Sequence, residues 1–277
     1  MSLKTAVALG SFTCLAVYLF ATAPPPLPTQ AATGTAARAL PVQNLFEAVN
    51  AINHAARSTY TARVVGGGAK AGLKFGEDWA EPGVEKGPLP ALFLRLAAAR
   101  MEAKPPQLGL YLGSDAPINA SNLFTGDQAR AYEQVKATRA PVFSISERGD
   151  QVGMYPDLAS AKPCVTCHND HPDSPRKDWV LNEVMGATTW TYPVARLGAA
   201  DYLAVTEAFY DAVGEAYQAY LDKAAGFAVP VPQAAGWPEE GARVLPDLPT
   251  FMAEVRARSG DPVMRALILT SPQEGGA

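Results

Sequence analysis

The pentapeptide Cys164-Val165-Thr166-Cys167-His168 constrains this chain more than any other feature of its sequence. The C-x-x-C-H pattern is the covalent attachment signature of a c-type haem. Two thiols three residues apart can each form a thioether with a haem vinyl group, and the adjacent histidine then meets the iron from the same side. The chain has only three Cys and three His in 277 residues, which makes a chance match improbable. We therefore predict one covalent haem c, attached through Cys164 and Cys167, with His168 as the proximal iron ligand.

Two other chemistries use paired cysteines, and both fit the sequence less well. A thioredoxin-like redox pair needs no histidine after the second cysteine and usually opens a helix within a βαβ pattern. A zinc site needs further Cys or His ligands at close spacing. Haem attachment remains the better interpretation of the motif.

The composition is that of a folded protein that works outside the cytoplasm. Apolar residues make up 48% of the chain and charged residues 18%, which allows a packed core and does not suggest disorder. The net charge of −4 argues against nucleic acid as a partner. Because haem c is attached outside the cytoplasm, we expect the domain on the periplasmic side of the inner membrane or in an equivalent compartment.

The first 23 residues are predicted to anchor the chain in the membrane. Residues 5–23 contain no charged side chain, and a helix of that length spans roughly 28 Å, about the thickness of a bilayer core. A cleaved signal peptide is the alternative, which would leave a soluble periplasmic protein. We favour a retained transmembrane helix because Pro24 would follow the cleavage-like sequence at 21–23. Cys14 lies in this stretch and is interpreted as a small apolar residue.

The rest of the chain divides into a linker, a haem domain and a C-terminal extension. Residues 24–40 are rich in Pro and Ala and form the linker. The periodicity of residues 41–200 predicts helices and short strands, whereas residues 201–277 form a helical, Pro-rich extension. Helices are predicted at 42–61, 90–102, 125–138, 199–225 and 250–269, strands at 108–112, 141–146, 151–155 and 188–194, and a helix break at 66–68.

The surroundings of the pentapeptide contain further distinctive elements, which are Ser114, Pro117-Ile118-Asn119, Tyr155-Pro156-Asp157, Cys167-His168-Asn169, His171, Ser174-Pro175, Asp178-Trp179 and Val184-Met185-Gly186. With these elements the chain resembles a family of single-haem c-type cytochromes with a PAS-like fold. Members of that family occur as stand-alone periplasmic proteins and as extracytoplasmic input domains of bacterial sensors. The resemblance covers roughly residues 41–200 and implies an α+β fold in which helices flank a PAS-like antiparallel sheet. One departure is Asn182-Glu183, where the family usually has Gly-Asp.

The sixth iron ligand decides between electron transfer and ligand chemistry. In the resembling family a residue of the first long helix, a Cys in some members, approaches the iron from the distal side, which implies His54 here. From periodicity alone His54 is equally consistent with a solvated residue. His171 follows His168 by three residues and so faces the same side of the porphyrin. Met154 and Met185 are further candidates, although both suit a core, and an open site is the last alternative.

Other side chains are expected to shape the haem pocket. Arg176 and Lys177 are candidates for pairing with the haem propionates, with an exposed charge pair as the alternative. Trp179, Trp190 and Tyr155 are expected to form an apolar wall of the pocket, and a generic core position explains them equally well.

Together these features predict a membrane-anchored electron carrier that serves a respiratory or photosynthetic membrane complex. Two protein ligands would leave no open iron site for a substrate, so an enzyme is the least favoured class. A haem-based redox or gas sensor is the main alternative. It would need a partner protein because no kinase or methyl-accepting region is recognisable.

Overall fold

A computed structural model describes residues 39–103 and 107–268, and these residues form the mixed α+β fold that the sequence predicts. The helices and strands follow one another in the order α1 (Val42–Thr59), which continues through a π-helical segment (Tyr60–Val65) into α2 (Gly66–Lys70), α3 (Pro90–Glu102), β1 (Gly109–Gly113), α4 (Gly126–Thr138), β2 (Val142–Ile145), β3 (Gln151–Leu158), α5 (Lys162–Asp170), β4 (Val184–Tyr192), α6 (Ala199–Ala225) and α7 (Leu248–Ile268). Short 3-10 turns lie at Glu77–Ala80 and Ala120–Asn122. Two-residue strands pair Leu40–Pro41 with Arg196–Leu197, Phe75–Gly76 with Gly87–Pro88, and Gln233–Ala234 with Leu245–Pro246.

The main sheet has four antiparallel strands in the order β1-β4-β3-β2. Tyr155 of β3 lies opposite Thr188 of β4. The register shifts just before α5, because Asp157 pairs with Gly186 whereas the next residue, Leu158, pairs with Val184. The extra residue in β4 is Met185, so a β-bulge marks the end of β3 from which the chain enters α5. Whether the sheet is PAS-like stays a prediction.

The two faces of the sheet contact different helices, because successive side chains of a strand point to opposite faces. One face contributes Tyr155 and Trp190 to the large core that also contains α1, α3, α6 and α7. The other face contributes Met154, which is 1% exposed and packs in a smaller cluster with Tyr132 and Val135 of α4. In the chain, α5 follows β3 and precedes β4.

The predicted helix break at residues 66–68 is wrong. The first helix continues without interruption through Tyr60–Val65 and Gly66–Lys70. Tyr60 is fully buried, and its hydroxyl donates a 2.8 Å hydrogen bond to the carbonyl oxygen of Pro88. Gly68 is buried where a Cβ atom would lie only 3.1 Å from the ring of Phe75. A side chain here would require the ring of Phe75 to move by a few tenths of an ångström, so glycine allows this close packing despite its low helix propensity.

The C-terminal extension shares its core with residues 41–200. Phe251 of α7 is fully buried, stacks on Tyr217 of α6 with 4.1 Å between the ring centroids, and meets the ring of Phe93 edge-on at 5.9 Å. The Asn44 side-chain amide donates a 2.7 Å hydrogen bond to the carbonyl oxygen of Ala266. The boundary drawn at residue 200 therefore does not separate two cores, and α7 packs along α1.

The predicted membrane anchor at residues 1–23 and most of the linker lie outside the described residues. Within the described ranges, no helix combines the length and the apolar character that a membrane crossing requires.

Candidate functional site

The C-x-x-C-H pentapeptide lies on α5, a nine-residue helix that runs from Lys162 to Asp170. Pro163 is in its first turn, where proline is tolerated because the amide hydrogens there have no partner within the helix. The helix ends before Pro172, which disfavours helical backbone at the preceding residue. Positions i, i+3 and i+4 share one side of a helix, so both sulfur atoms and the imidazole of the motif lie on a common face.

Both cysteines of α5 are free thiols. Cys164 is partly buried and Cys167 is exposed, and no disulfide joins them. Desolvation raises the pKa of the Cys167 thiol, with smaller contributions in the same direction from Cys164, Glu77 and Asp170.

The surroundings of His168 favour the neutral form of its imidazole. Desolvation lowers its pKa, and the neighbouring His171 lowers it further. Its Nδ1 atom is buried and has no hydrogen-bond partner. Although α5 carries no fully buried residue, this one imidazole atom is shielded from solvent. A neutral imidazole beside two unpaired thiols on one helix face fits the residue set that a covalent haem requires.

The loop after α5 is fixed to it by a reciprocal pair of hydrogen bonds. The Asn169 side-chain amide donates to the carbonyl oxygen of Trp179 at 3.0 Å, and the Trp179 backbone amide donates to Asn169 Oδ1 at 2.9 Å. His171 Nδ1 accepts a 3.2 Å hydrogen bond from the backbone amide of Asp173. His171 therefore stabilises the turn that follows α5.

Arg176 reaches the site, but its guanidinium already has acidic partners. It forms ion pairs of 2.6 Å with Asp178 and with Glu183, and it lies over the Trp179 ring at 3.9 Å from the centroid. Lys177 is exposed. The Trp179 side chain is 3% exposed and its indole Nε1 atom is buried without a hydrogen-bond partner.

His54 lies on the side of α1 that also carries Asn50, four residues before it, and Arg57, three residues after it. Two contacts hold this face in place: Trp190 Nε1 donates to Asn50 Oδ1 at 3.3 Å, and Arg57 forms a 2.8 Å ion pair with Asp157. His54 is exposed to solvent, and partial desolvation lowers its pKa. Arg57 and Arg258 lower this pKa further, whereas Asp157 raises it. Arg57, three residues after His54 on the same side of α1, contacts the end of β3 from which the chain enters α5.

The structure separates some of the predicted site residues. Met154 lies in the smaller hydrophobic cluster beneath α4, on the face of the sheet opposite to α1. Met185 is the half-buried bulge residue of β4. Trp190 belongs to the large core, where its ring meets Phe209 edge-on at 5.3 Å.

Sequence reasoning did not single out the ion pair of Arg57 and Asp157 or the hydroxyl of Thr188 that supports it. The Thr188 Oγ1 atom lies 3.0 Å from both carboxylate oxygens of Asp157. The signal available in the sequence was a charged residue, Asp157, near the end of a strand whose central residues are buried. Two surface cavities, of about 530 and 380 Å³, lie in other parts of the chain, around Lys86 and Trp237 respectively.

Comparison with known proteins places the haem motif within a larger match. The Tll0287-like family matches residues 34–193, which is more than half of the chain and includes the whole of α5. No curated protein and no solved structure matches this sequence.

Proposed function

The chain belongs to the Tll0287-like family of cytochrome-like domains, and on that premise we propose that it is a c-type cytochrome that carries one covalent haem and transfers single electrons. The family's namesake, Tll0287, is a c-type cytochrome. The match ends at residue 193, so the helices α6 and α7 lie outside the part that the family defines.

The arrangement on α5 carries the proposal. Cys164, Cys167 and His168 share one helix face, both thiols are free, and desolvation lowers the pKa of the imidazole. When bound, a haem would supply a one-electron iron couple that no amino-acid side chain offers at ordinary potentials. Within this scheme the two cysteines hold the group covalently, and His168 provides the proximal nitrogen.

His54 is the proposed distal ligand. It extends from the first long helix, and the ion pair of Arg57 with Asp157 holds this part of the helix against the strand that leads into α5. Desolvation and two arginines favour its neutral form, which is the form that binds a metal. With both axial positions held by protein nitrogen atoms, electrons would pass without a substrate binding to the iron.

The setting of this electron transfer follows from the sequence and is part of the proposal. Covalent haem attachment implies the periplasmic side of the inner membrane, and the apolar stretch at 5–23 would tether the domain there. A tether raises the effective concentration of the domain near a membrane electron-transfer complex. If the stretch at 5–23 were instead removed as part of a signal peptide, the product would be a soluble periplasmic protein.

Covalent attachment is the first property to test. The full chain should be expressed with a c-type haem maturation system, and haem content should be measured after denaturation and removal of free haem. We expect one haem per chain, which is lost in the C164A/C167A variant and retained in C14A, the matched control at the third cysteine. Haem that is extracted by acidic organic solvent from the unaltered protein would contradict the proposal.

Spectra then distinguish a carrier from a ligand-binding protein. The ferric and ferrous forms should both be six-coordinate and low-spin, and added CO should bind slowly or not at all. A high-spin ferric spectrum or rapid CO binding would contradict electron transfer between two fixed protein ligands. Those results would favour the sensor class instead.

A further inference from the structure

The indole of Trp179 is a buried hydrogen-bond donor without an acceptor. Trp179 is 3% exposed, and its Nε1 atom has no hydrogen-bond partner among the residues that the structure describes. A buried N–H group that loses its water and gains no acceptor is unfavourable, and such groups are rare in folded proteins. The other tryptophan with a buried indole nitrogen, Trp190, has an acceptor in Asn50. Trp179 therefore lacks the hydrogen-bond acceptor that the indole N–H of Trp190 has.

The position of Trp179 relative to α5 is fixed by its backbone. Asn169 accepts a hydrogen bond from the Trp179 amide and donates one to its carbonyl oxygen, and Asn169 directly follows His168. Arg176 covers one side of the ring at 3.9 Å from its centroid. These contacts tie the indole to the residue beside the proximal ligand and limit its freedom to turn towards solvent.

We propose that the Trp179 indole N–H donates a hydrogen bond to a propionate carboxylate of the haem. The inference rests on the proposed function, because the acceptor belongs to the haem. Its propionates carry the only oxygen atoms on the periphery of this macrocycle, so they are the only strong acceptors that a bound haem can offer. Trp179 is thereby a positioning residue, which orients the haem through one carboxylate.

The predicted pairing of Arg176 and Lys177 with the haem propionates stays a prediction beside this assignment. The guanidinium of Arg176 is bound by Asp178 and Glu183, each at 2.6 Å, so its charge is already compensated. Lys177 is exposed. The Trp179 indole has no competing acceptor among the described residues, so a propionate carboxylate would supply the partner that it lacks.

The hydrogen bond can be observed directly in the intact protein. The full chain with its haem would be labelled with ¹⁵N at the indole nitrogen of its four tryptophans, and the ferrous low-spin form studied by NMR. The resonance that disappears in W179F is Trp179. We expect its N–H to exchange with solvent at least tenfold more slowly than that of Trp237 and to move downfield relative to free indole. A rapidly exchanging Trp179 proton would overturn the proposal.

A second measurement reads the carboxylate rather than the indole. The hydrogen bond favours the ionised propionate, so its loss in W179F should raise the propionate pKa. We expect the inflection in the pH dependence of the reduction potential to move upward by about one pH unit, a tenfold change in proton affinity. W237F is the matched control, since Trp237 also carries an arginine, Arg63, over its ring at 4.7 Å but lies in a different part of the chain.

The results separate this inference from the function on which it rests. Covalent haem in the wild type and in W179F, with an altered pH profile only in W179F, supports both. Covalent haem with identical pH profiles in W179F and W237F overturns the role of Trp179 alone. Absence of covalent haem from the wild type overturns both proposals together.

Discussion

Arg57 of α1 and Asp157 of β3, which are 100 residues apart in the chain, form an ion pair. The Nη1 atom of Arg57 lies 2.8 Å from Oδ1 of Asp157. Both side chains are mostly shielded, with 28% and 21% of their surface exposed. Asp157 also accepts from the hydroxyl of Thr188 on the neighbouring strand. The carboxylate therefore joins a helix and two strands at the point where the chain enters α5.

Replacing Asp157 by asparagine should destabilise the protein by about 1–2 kcal/mol, because the partly buried guanidinium of Arg57 loses its counter-charge. Urea unfolding followed by circular dichroism measures this directly. The matched control is E240Q, which removes an ion pair between Lys70 and Glu240 whose side chains are 62% and 74% exposed. Its effect should stay below about 0.5 kcal/mol. Equal losses of unfolding free energy in D157N and E240Q would show that the ion pair of Asp157 stabilises the protein no more than an exposed one.

Local patterns predicted most of the secondary structure but few of the contacts. The helices at 90–102 and 199–225 have the predicted bounds, because each begins and ends at strong local signals such as Pro90 and Gly226. The pairing of Arg57 with Asp157 and the packing of Phe251 on Phe93 join residues that are distant in the chain. No local periodicity encodes such contacts, which is why α7 was interpreted as an extension.

In the candidate site, too, the sequence predicted the local motif but not the contacts that surround it. The cysteines and His168 form a contiguous motif whose chemistry depends on spacing alone. The unpartnered indole of Trp179 depends instead on burial and on the reciprocal hydrogen bonds with Asn169, which only the folded chain supplies. For Met154 the sequence left two interpretations open, because an apolar strand residue suits both an iron ligand and a core position. In the folded chain Met154 lies on the face of the sheet that packs in the smaller hydrophobic cluster.

Removing the imidazole of His54 should convert the haem from a low-spin to a high-spin ferric state, because one axial position then lacks its protein ligand. The H54A variant should also bind CO readily in the ferrous form. H171A is the control: His171 Nδ1 accepts from the Asp173 amide, so its loss should leave the spin state unchanged. Absorption spectra of both variants decide the assignment, and an unaltered low-spin spectrum in H54A would exclude His54 as the distal ligand.

Two glutamates should change stability with pH in opposite directions. Desolvation raises the pKa of Glu47 above its usual 4.5, against the influence of the nearby Tyr155 hydroxyl. The folded state therefore binds this proton more tightly than the unfolded state, and stability is lost as the pH rises above about 4.5 through the folded pKa. E47Q removes this loss and should be about 0.5 kcal/mol more stable than the wild type at pH 7, with no difference near pH 4.

Glu207 provides the opposite case. Its hydrogen bonds to Arg256, at 2.6 and 3.1 Å, lower its pKa. Stability from this pair is present above pH 4.5 and is lost as the pH falls through the folded pKa. E207Q should thus be about 0.5 kcal/mol less stable at pH 7 and equal to the wild type in acid, a modest effect because both side chains are half exposed. Denaturant unfolding at several pH values tests both signs, and parallel pH profiles for E47Q and E207Q would contradict them.

Truncating the ring of Phe251 tests whether α7 is part of the core or an appendage. The ring is fully buried between Tyr217 and Phe93, so F251A should cost about 3–5 kcal/mol from lost burial and the cavity that remains. I268A is the matched control on the same helix, because Ile268 is 67% exposed, and its effect should be within about 0.5 kcal/mol. Unfolding should remain a single transition in which the haem absorbance and the helical signal change together. A loss in F251A that affects only part of the helical signal, while the haem spectrum stays intact, would mean that α6 and α7 unfold independently of the residues around α5.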